Sequence, residues 1–510
     1  MTVMDRRELL KLGALAGAAA VTGVGANALL RPSPAAALAG LPGGSPLGNR
    51  RVKNVIFLAY DGTGYEDFAT ADFFARRVVG QPLRYHQFLS EGLTGTMIPS
   101  SLTSWVTDSS AASSAWSTGR KIVNGAVNQF PDGTELTPIL ELARATGRAT
   151  GLVTTARATH ATPAAWVAKV RAREMEEEIA IQYLASGTDV ILGGGQAYFD
   201  PAIRSDGRDL FGEFAGAGYD VVKTPGELAS SSGSKLLGVF APSTRHVAYE
   251  IDRRFGGVDQ PSLADMVRAA LPRLDGAEGG FVLQVEAGRM DHANHEQDAG
   301  AMVWDWIAAD EALGVLLEFV ADRDDTLLIH APDHDTGGGV TFGWGSRYSR
   351  TDPALMTFGN VRCSYERLLL DLMPRNPSPA QVRELVEANV GVPVGDFAAE
   401  NLAALVSGTD MAGLRWGHQN AVLGSMKYQV AQLLSQSFEN RPERPPVSFA
   451  TSNHTAGFVP VVLAGAGIEA GNLGVIDNTE LFGVMTAALG IEFENPAMTA
   501  DEAQELVDEG

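Results

Sequence analysis

The sequence predicts an α/β fold: a three-layer αβα sandwich with a large, mostly parallel central sheet and a cap-like insertion. Short apolar runs bounded by turn residues recur at 55–59, 151–154, 189–192, 281–285, 326–329 and 459–463, the pattern of strands buried on both faces. Helix-length segments lie between them, among them 175–184, 299–320 and 478–489, the last with Asn478 as N-cap. Strands separated by helices imply parallel pairing through crossovers. The rhythm is lost between about 337 and 446, where polar turns, an amphipathic segment near 428–437 and a Pro-rich exit predict an insertion or cap over 340–450.

Composition agrees. Hydrophobic residues make up 45% of the 510 and charged residues 20%, enough for a large core and unlike disordered, collagenous or coiled-coil chains. With 39 basic against 61 acidic residues the net charge is −22, which argues against nucleic acid as a specific partner. Cys363 has no partner for a disulfide and rules out Cys-based metal ribbons.

Residues 1–39 read as an address. Asp5-Arg6-Arg7-Glu8-Leu9-Leu10-Lys11 precedes a small-residue apolar run to Leu30 and an Ala37-Leu38-Ala39 cleavage signal. The order resembles a twin-arginine export signal, which implies an exported, periplasmic or secreted product with no stable membrane anchor after cleavage. The remainder, 40–510, is expected to be one domain containing the insertion.

Metal-type side chains gather where strands end, and in open α/β sheets ligands bind beyond the carboxyl ends of strands. Asp61 follows the first run in Tyr60-Asp61-Gly62-Thr63-Gly64. Glu286 closes the fourth, with Asp291 and His295 beyond it, four apart, so that one helical turn points both at one ion. Asp333-His334 follow the fifth. Each alone is a common cap or turn residue; together they place carboxylates and imidazoles on one rim that calls for cations. Mixed Asp and His ligands suit Zn²⁺, and all-oxygen sets suit Mg²⁺. Ser109, after Asp108 and before small residues, is the candidate nucleophile at a helix start, although Ser and Asp are also ordinary N-caps. No histidine adjoins it, so activation by a metal is the natural route.

These segments resemble the alkaline phosphatase family. The opening strand with Asp61, the stretch Val106-Thr107-Asp108-Ser109-Ser110 through Asn124-Gly125, Ala161-Thr162-Pro163, Gly193-Gly194-Gly195, Glu286-Ala287-Gly288-Arg289-Met290-Asp291-His292, Asp333-His334-Asp335-Thr336-Gly337-Gly338 and Asn453-His454-Thr455 follow in the family's order. The resemblance runs from about Lys53 to Leu489 and is weak over 340–450. It implies a hydrolase of small phosphate monoesters that forms a phosphoserine at Ser109 beside two Zn²⁺ and one Mg²⁺. It places Asp291, His295 and His454 at the first zinc, Asp61, Asp333 and His334 at the second, and Asp61, Thr162 and Glu286 at the magnesium. Arg173 falls at the phosphate-clamping arginine, and a homodimer is left open.

The sequence departs from some bacterial members at His160 and His292, where they carry Asp and Lys, so the third site accepts Zn²⁺ as well as Mg²⁺ in this reading. Thr336 replaces a His found in some members; Ser113 and Ser114 are mild changes. His330, His86 and His246 read as structural, and His418 leaves both readings open. Glu174, Glu176, Glu177 and Glu178 read as a solvated face, and Gly193-Gly194-Gly195 as a turn. A phosphodiesterase or sulfatase of the same superfamily, and a noncatalytic secreted phosphate- or metal-binding protein, are the alternatives. The sulfatase motif Cys/Ser-x-Pro-x-Arg surrounds neither Cys363 nor Ser109.

Overall fold

A computed structural model describes residues 51–343, 348–373, 376–391, 393–407, 430–431, 434 and 447–509. The predicted export signal, His418 and most of the predicted amphipathic segment lie outside the described residues. Among the described residues the strands are β1 (Asn54–Tyr60), β2 (Leu93–Ile98), β3 (Ala149–Arg157), β4 (Val190–Gly194), β5 (Asp220–Val222), β6 (Leu236–Val239), β7 (Phe281–Ala287), β8 (Thr326–Ala331), β9 (Asp335–Thr336), β10 (Val340–Thr341), β11 (Val447–Ser448), β12 (His454–Thr455), β13 (Val459–Gly465) and β14 (Gly471–Asp477). Ten form one sheet in the order β14-β2-β13-β8-β1-β7-β3-β4-β6-β5, parallel except for β13, which runs antiparallel to β2 and β8. Strands β2 and β14, interrupted by glycine and polar residues, and the short β5 and β6 lack the apolar runs that reveal the other strands of this sheet.

The sheet is buried on both faces, and β1 shows why its sequence is uniformly apolar. Ile56, Leu58 and Tyr60 face one core cluster, while Val55, Phe57 and Ala59 face the other, the period-2 alternation of a strand. Helices Leu263–Asp275 and Ala299–Val320 cover the first face; Ile139–Ala145, Glu176–Ser186 and Glu480–Leu489 cover the second. The last helix begins later than expected. Its N-cap is Thr479, because the Asn478 amide is turned to donate to the Ser100 carbonyl at 3.2 Å.

Strands β10 and β11 pair antiparallel, with Val340 opposite Ser448, so the chain leaves the sandwich and returns to it at one place. Between them, helices Pro379–Val390 and Asp396–Ser407 pack on Leu368, Val430 and Leu434 in an apolar cluster of their own. No helix among the described residues is long and apolar enough to cross a membrane.

Candidate active site

Strand register builds the rim. Ala59 on β1 stands opposite Glu286 on β7 and Ala331 on β8. Asp61 and Asp333, each two residues farther on, therefore leave adjacent strands level with each other, two residues beyond Glu286. All three carboxylates are fully buried. The turn after β1 needs glycine: Gly62 has φ +66°, and a Cβ there would lie 2.4 Å from Asp291 Oδ1. Its amide donates to Asp333 Oδ1 at 2.9 Å and its carbonyl accepts from Asn294 at 3.0 Å, tying the β1, β7 and β8 loops together.

Helix Arg289–Glu296 follows β7 and presents Asp291 and His295 on one turn, with His295 Nε2 at 3.3 Å from Asp291 Oδ1. His454 reaches them because β12 pairs with β9, His454 opposite Thr336. His295 and His454 bring their Nε2 atoms within 3.1 Å of each other, and His454 stacks on His334 at 3.6 Å between ring centres. Three groups of ligand atoms converge to within 4.8 Å: Asp291, His295 and His454; Asp61, Asp291 and His334; and Asp61, His160 and Glu286. Asp333 joins the second through its Oδ2, 2.9 Å from His334 Nε2.

The imidazoles are oriented from behind. His295 Nδ1 donates to the Ser452 carbonyl at 2.6 Å and His454 Nδ1 to the Thr107 carbonyl at 2.8 Å, since a carbonyl only accepts. His334 Nδ1 lies 3.2 Å from the Thr336 hydroxyl, which is itself committed as donor to Asp291 Oδ1 at 2.6 Å. In their neutral form all three rings thus carry the proton on Nδ1 and turn Nε2 inward, the arrangement of metal-ligating histidines.

The electrostatics demand positive charge. Burial, then the neighbouring Asp333, Asp291 and Glu286, pushes Asp61 well above the usual carboxylate range. Asp291 is lowered: burial opposes this, but His295 and His454 outweigh it. His334 is raised, Asp333 overcoming the effect of burial. Asp61 Oδ1 and Glu286 Oε1 are buried with no hydrogen-bond partner. Orphaned carboxylate oxygens and inward lone pairs fit divalent cations. At the third group, Thr154 donates to Glu286 Oε2, His160 Nδ1 lies 3.7 Å from Glu286 Oε1, and the Thr162 hydroxyl is 3.5 Å from Asp61 Oδ2.

Ser109 opens helix Ser109–Thr118, and its Oγ lies 3.2 Å from His334 Nε2. Asp108 is the N-cap, accepting from the Ala111 amide at 2.9 Å. It also accepts from the Gly125 amide at 3.0 Å and pairs with Arg173 Nη1 at 3.0 Å. Burial would raise its carboxyl, but Arg173 and the Ala111 amide hold it below the usual range. Asn124 bonds both the Asp108 amide and the Val106 carbonyl, and the Gly125 carbonyl accepts from the Arg173 amide at 2.7 Å. One turn thereby sets both the nucleophile loop and the guanidinium.

Some residues have roles the sequence did not reveal. Ser113 accepts from Trp166 Nε1 at 3.1 Å and donates to the Thr162 carbonyl at 2.7 Å, fixing the turn that carries Thr162. His246 packs on His292 at 4.0 Å between ring centres and lies 5.6 Å from His160, so it belongs to the surroundings of the third group. Burial, joined by His292 for the one and by Arg289 for the other, pushes both His246 and His292 well below the ordinary histidine value. No local motif marks His246. Glu176 is buried, not solvated; it accepts from Arg157 at 2.9 Å and from Thr159 at 2.6 Å, because the helix N-terminus turns it inward. His330 is a core residue bonded to Tyr85 and the Leu58 carbonyl, and His86 lies exposed on helix Arg84–Glu91.

A doubly covered α/β sheet whose carboxyl edge gathers carboxylates and imidazoles beside a buried serine defines a class of metal-centre proteins. Residues 52–491 match the alkaline phosphatase family, and the chain belongs to that family. It is 35% identical over 323 residues to the repressible alkaline phosphatase of Saccharomyces cerevisiae, covering 58% of this chain and 56% of that one. Alkaline phosphatase 3 of Bacillus subtilis is 35% identical over 296 residues, 56% of this chain and 62% of its own. The matches thus span little more than half the length of these curated relatives. The crystal structure of Thermus thermophilus alkaline phosphatase superposes with a TM-score of 0.87 at 43% identity, covering 96% of this chain and 100% of that one.

Proposed function

We propose that the protein is an exported phosphate monoester hydrolase that works through a phosphoserine on Ser109. The observation that carries this reading is the Ser109 hydroxyl beside His334, at a helix start within a ring of inward-facing carboxylates and imidazoles. Asp291, His295 and His454 would hold one Zn²⁺, Asp61, Asp333 and His334 a second, and Asp61, Thr162 and Glu286 a Mg²⁺, with His160 making Zn²⁺ acceptable there too. Such ions supply Lewis-acid stabilisation of the oxygens that enter and leave phosphorus.

The chain's own groups do the rest. First-turn amides of helix Ser109–Thr118 face the phosphoryl oxygens and favour their negative charge. Arg173 grips two of these oxygens with its planar fork, held in place by Asp108. Ser109 Oγ, its proton given up to solvent, bonds to phosphorus while the ester P–O bond breaks, and the departing oxygen takes a proton from water. Water then attacks the phosphoserine and releases inorganic phosphate with Ser109 restored. Arg173 on two unesterified oxygens, together with the group of Asp291, His295 and His454 for a third, would favour monoesters, which have three such oxygens, over diesters, which have two.

The test compares p-nitrophenyl phosphate with its diester and sulfate analogues, and locates trapped phosphate by mass spectrometry. Turnover of the monoester with phosphate on Ser109 is expected. Preference for the diester or sulfate, or no turnover by a metal-loaded chain, rejects the reading.

A further inference from the structure

Helix Arg289–Glu296 carries Asp291 and His295, and both of its ends are held by groups that touch neither the serine nor the ligand atoms. The Arg289 side chain is 1% exposed. Its guanidinium lies 3.6 Å from the centre of the Tyr249 ring, and Nη2 donates to Glu366 Oε2 at 2.9 Å. At the other end of the helix, the Tyr249 hydroxyl donates to Glu296 Oε2 at 3.0 Å. Tyr249 thus braces both ends.

Glu366 belongs to the insertion, in the short turn Tyr365–Arg367. That turn is docked firmly. The Tyr365 amide donates to Asp298 Oδ2 at 2.7 Å, and the Ser364 amide and hydroxyl donate to Asp252 at 2.8 and 2.6 Å. Neighbouring Cys363 and Leu368 belong to the insertion's own apolar cluster. A buried guanidinium needs its anion, and the fork fixes direction as well as distance. The orientation of Arg289, two residues before Asp291, is consequently set from the insertion.

We propose that Arg289 and Glu366 are a positioning pair through which the insertion aligns the helix bearing Asp291 and His295, so that retention of the ion held by Asp291, His295 and His454 depends on this contact. The inference rests on the metal reading above. Groups behind metal ligands tune affinity about 10–100-fold.

The experiment uses the full metal-saturated chain and follows zinc release into excess chelator with a chromogenic indicator, alongside melting by circular dichroism. Glu366→Gln is expected to lose one zinc equivalent about 10-fold faster than wild type while the other ions leave at wild-type rates. The double variant Arg289→Met/Glu366→Leu removes both buried charges; it is expected to melt near the wild-type temperature yet release that ion fast. Arg208→Gln, which breaks the exposed pair with Glu213, serves as control. Wild-type release from the double variant, or equal acceleration of every ion, overturns the inference alone. A wild-type chain that takes up no divalent ion overturns the proposed function as well.

Discussion

The Thr336 hydroxyl donates to Asp291 Oδ1 at 2.6 Å while standing 3.2 Å from His334 Nδ1, so one side chain orients a ligand in each of two groups. Thr336→Val keeps the shape and removes both contacts. Zinc titration is expected to show about 10-fold weaker binding in this variant. Unchanged affinity would mean that the backbone alone orients Asp291 and His334.

Ser109→Ala removes the proposed nucleophile, and with it the contact to His334, while leaving every carboxylate and imidazole in place. Turnover of p-nitrophenyl phosphate is expected to fall at least about 10³-fold, with metal content by elemental analysis unchanged. Full activity in this variant rejects the assignment.

Under the proposed function Arg173 would bind phosphate, so its loss is expected to be read in kcat/KM. Arg173→Ala forfeits charge-assisted bonds of about 1.5–3 kcal/mol, a loss of roughly 10–150-fold. Arg173→Lys is expected to recover little, because a point charge does not reproduce the fork paired with Asp108. Steady-state kinetics with inorganic phosphate as competitive inhibitor tests both.

Chelation is expected to abolish activity and, because the ions bind only the folded chain, to lower the melting temperature as well. Zinc plus magnesium is expected to restore both. A melting temperature indifferent to chelator would mean that the acidic rim is stable without cations, against the repulsion that raises Asp61.

Asp305, buried on helix Ala299–Val320, gives a pH prediction away from the metal groups. Burial, opposed by Arg289, pushes its carboxyl up to about 8. Unfolded, it ionises near 4. The folded chain therefore binds its proton more tightly, and the resulting stabilisation is complete below about pH 4 and fades as pH rises to about 8. At saturating metal, the melting temperature of wild type is expected to fall more steeply between pH 5 and 8 than that of Asp305→Asn. Parallel curves would show that Asp305 ionises normally.

By itself, the sequence determined the α/β class, the apolar strands and the residues able to hold cations. Doubly buried strands are apolar throughout, and Asp61, Glu286 and Asp333 stand at their ends within short, ordered motifs. Tertiary structure decided which of these residues meet. Strand register levels Asp61 with Asp333 just beyond Glu286, and the β9–β12 pairing brings His454 across from Thr336, more than a hundred positions away. It also decided the roles of His246, Ser113 and Glu366, which carry no local signature. A motif records chemistry that neighbours in the chain share, whereas orientation and burial are imposed by packing between segments distant along it.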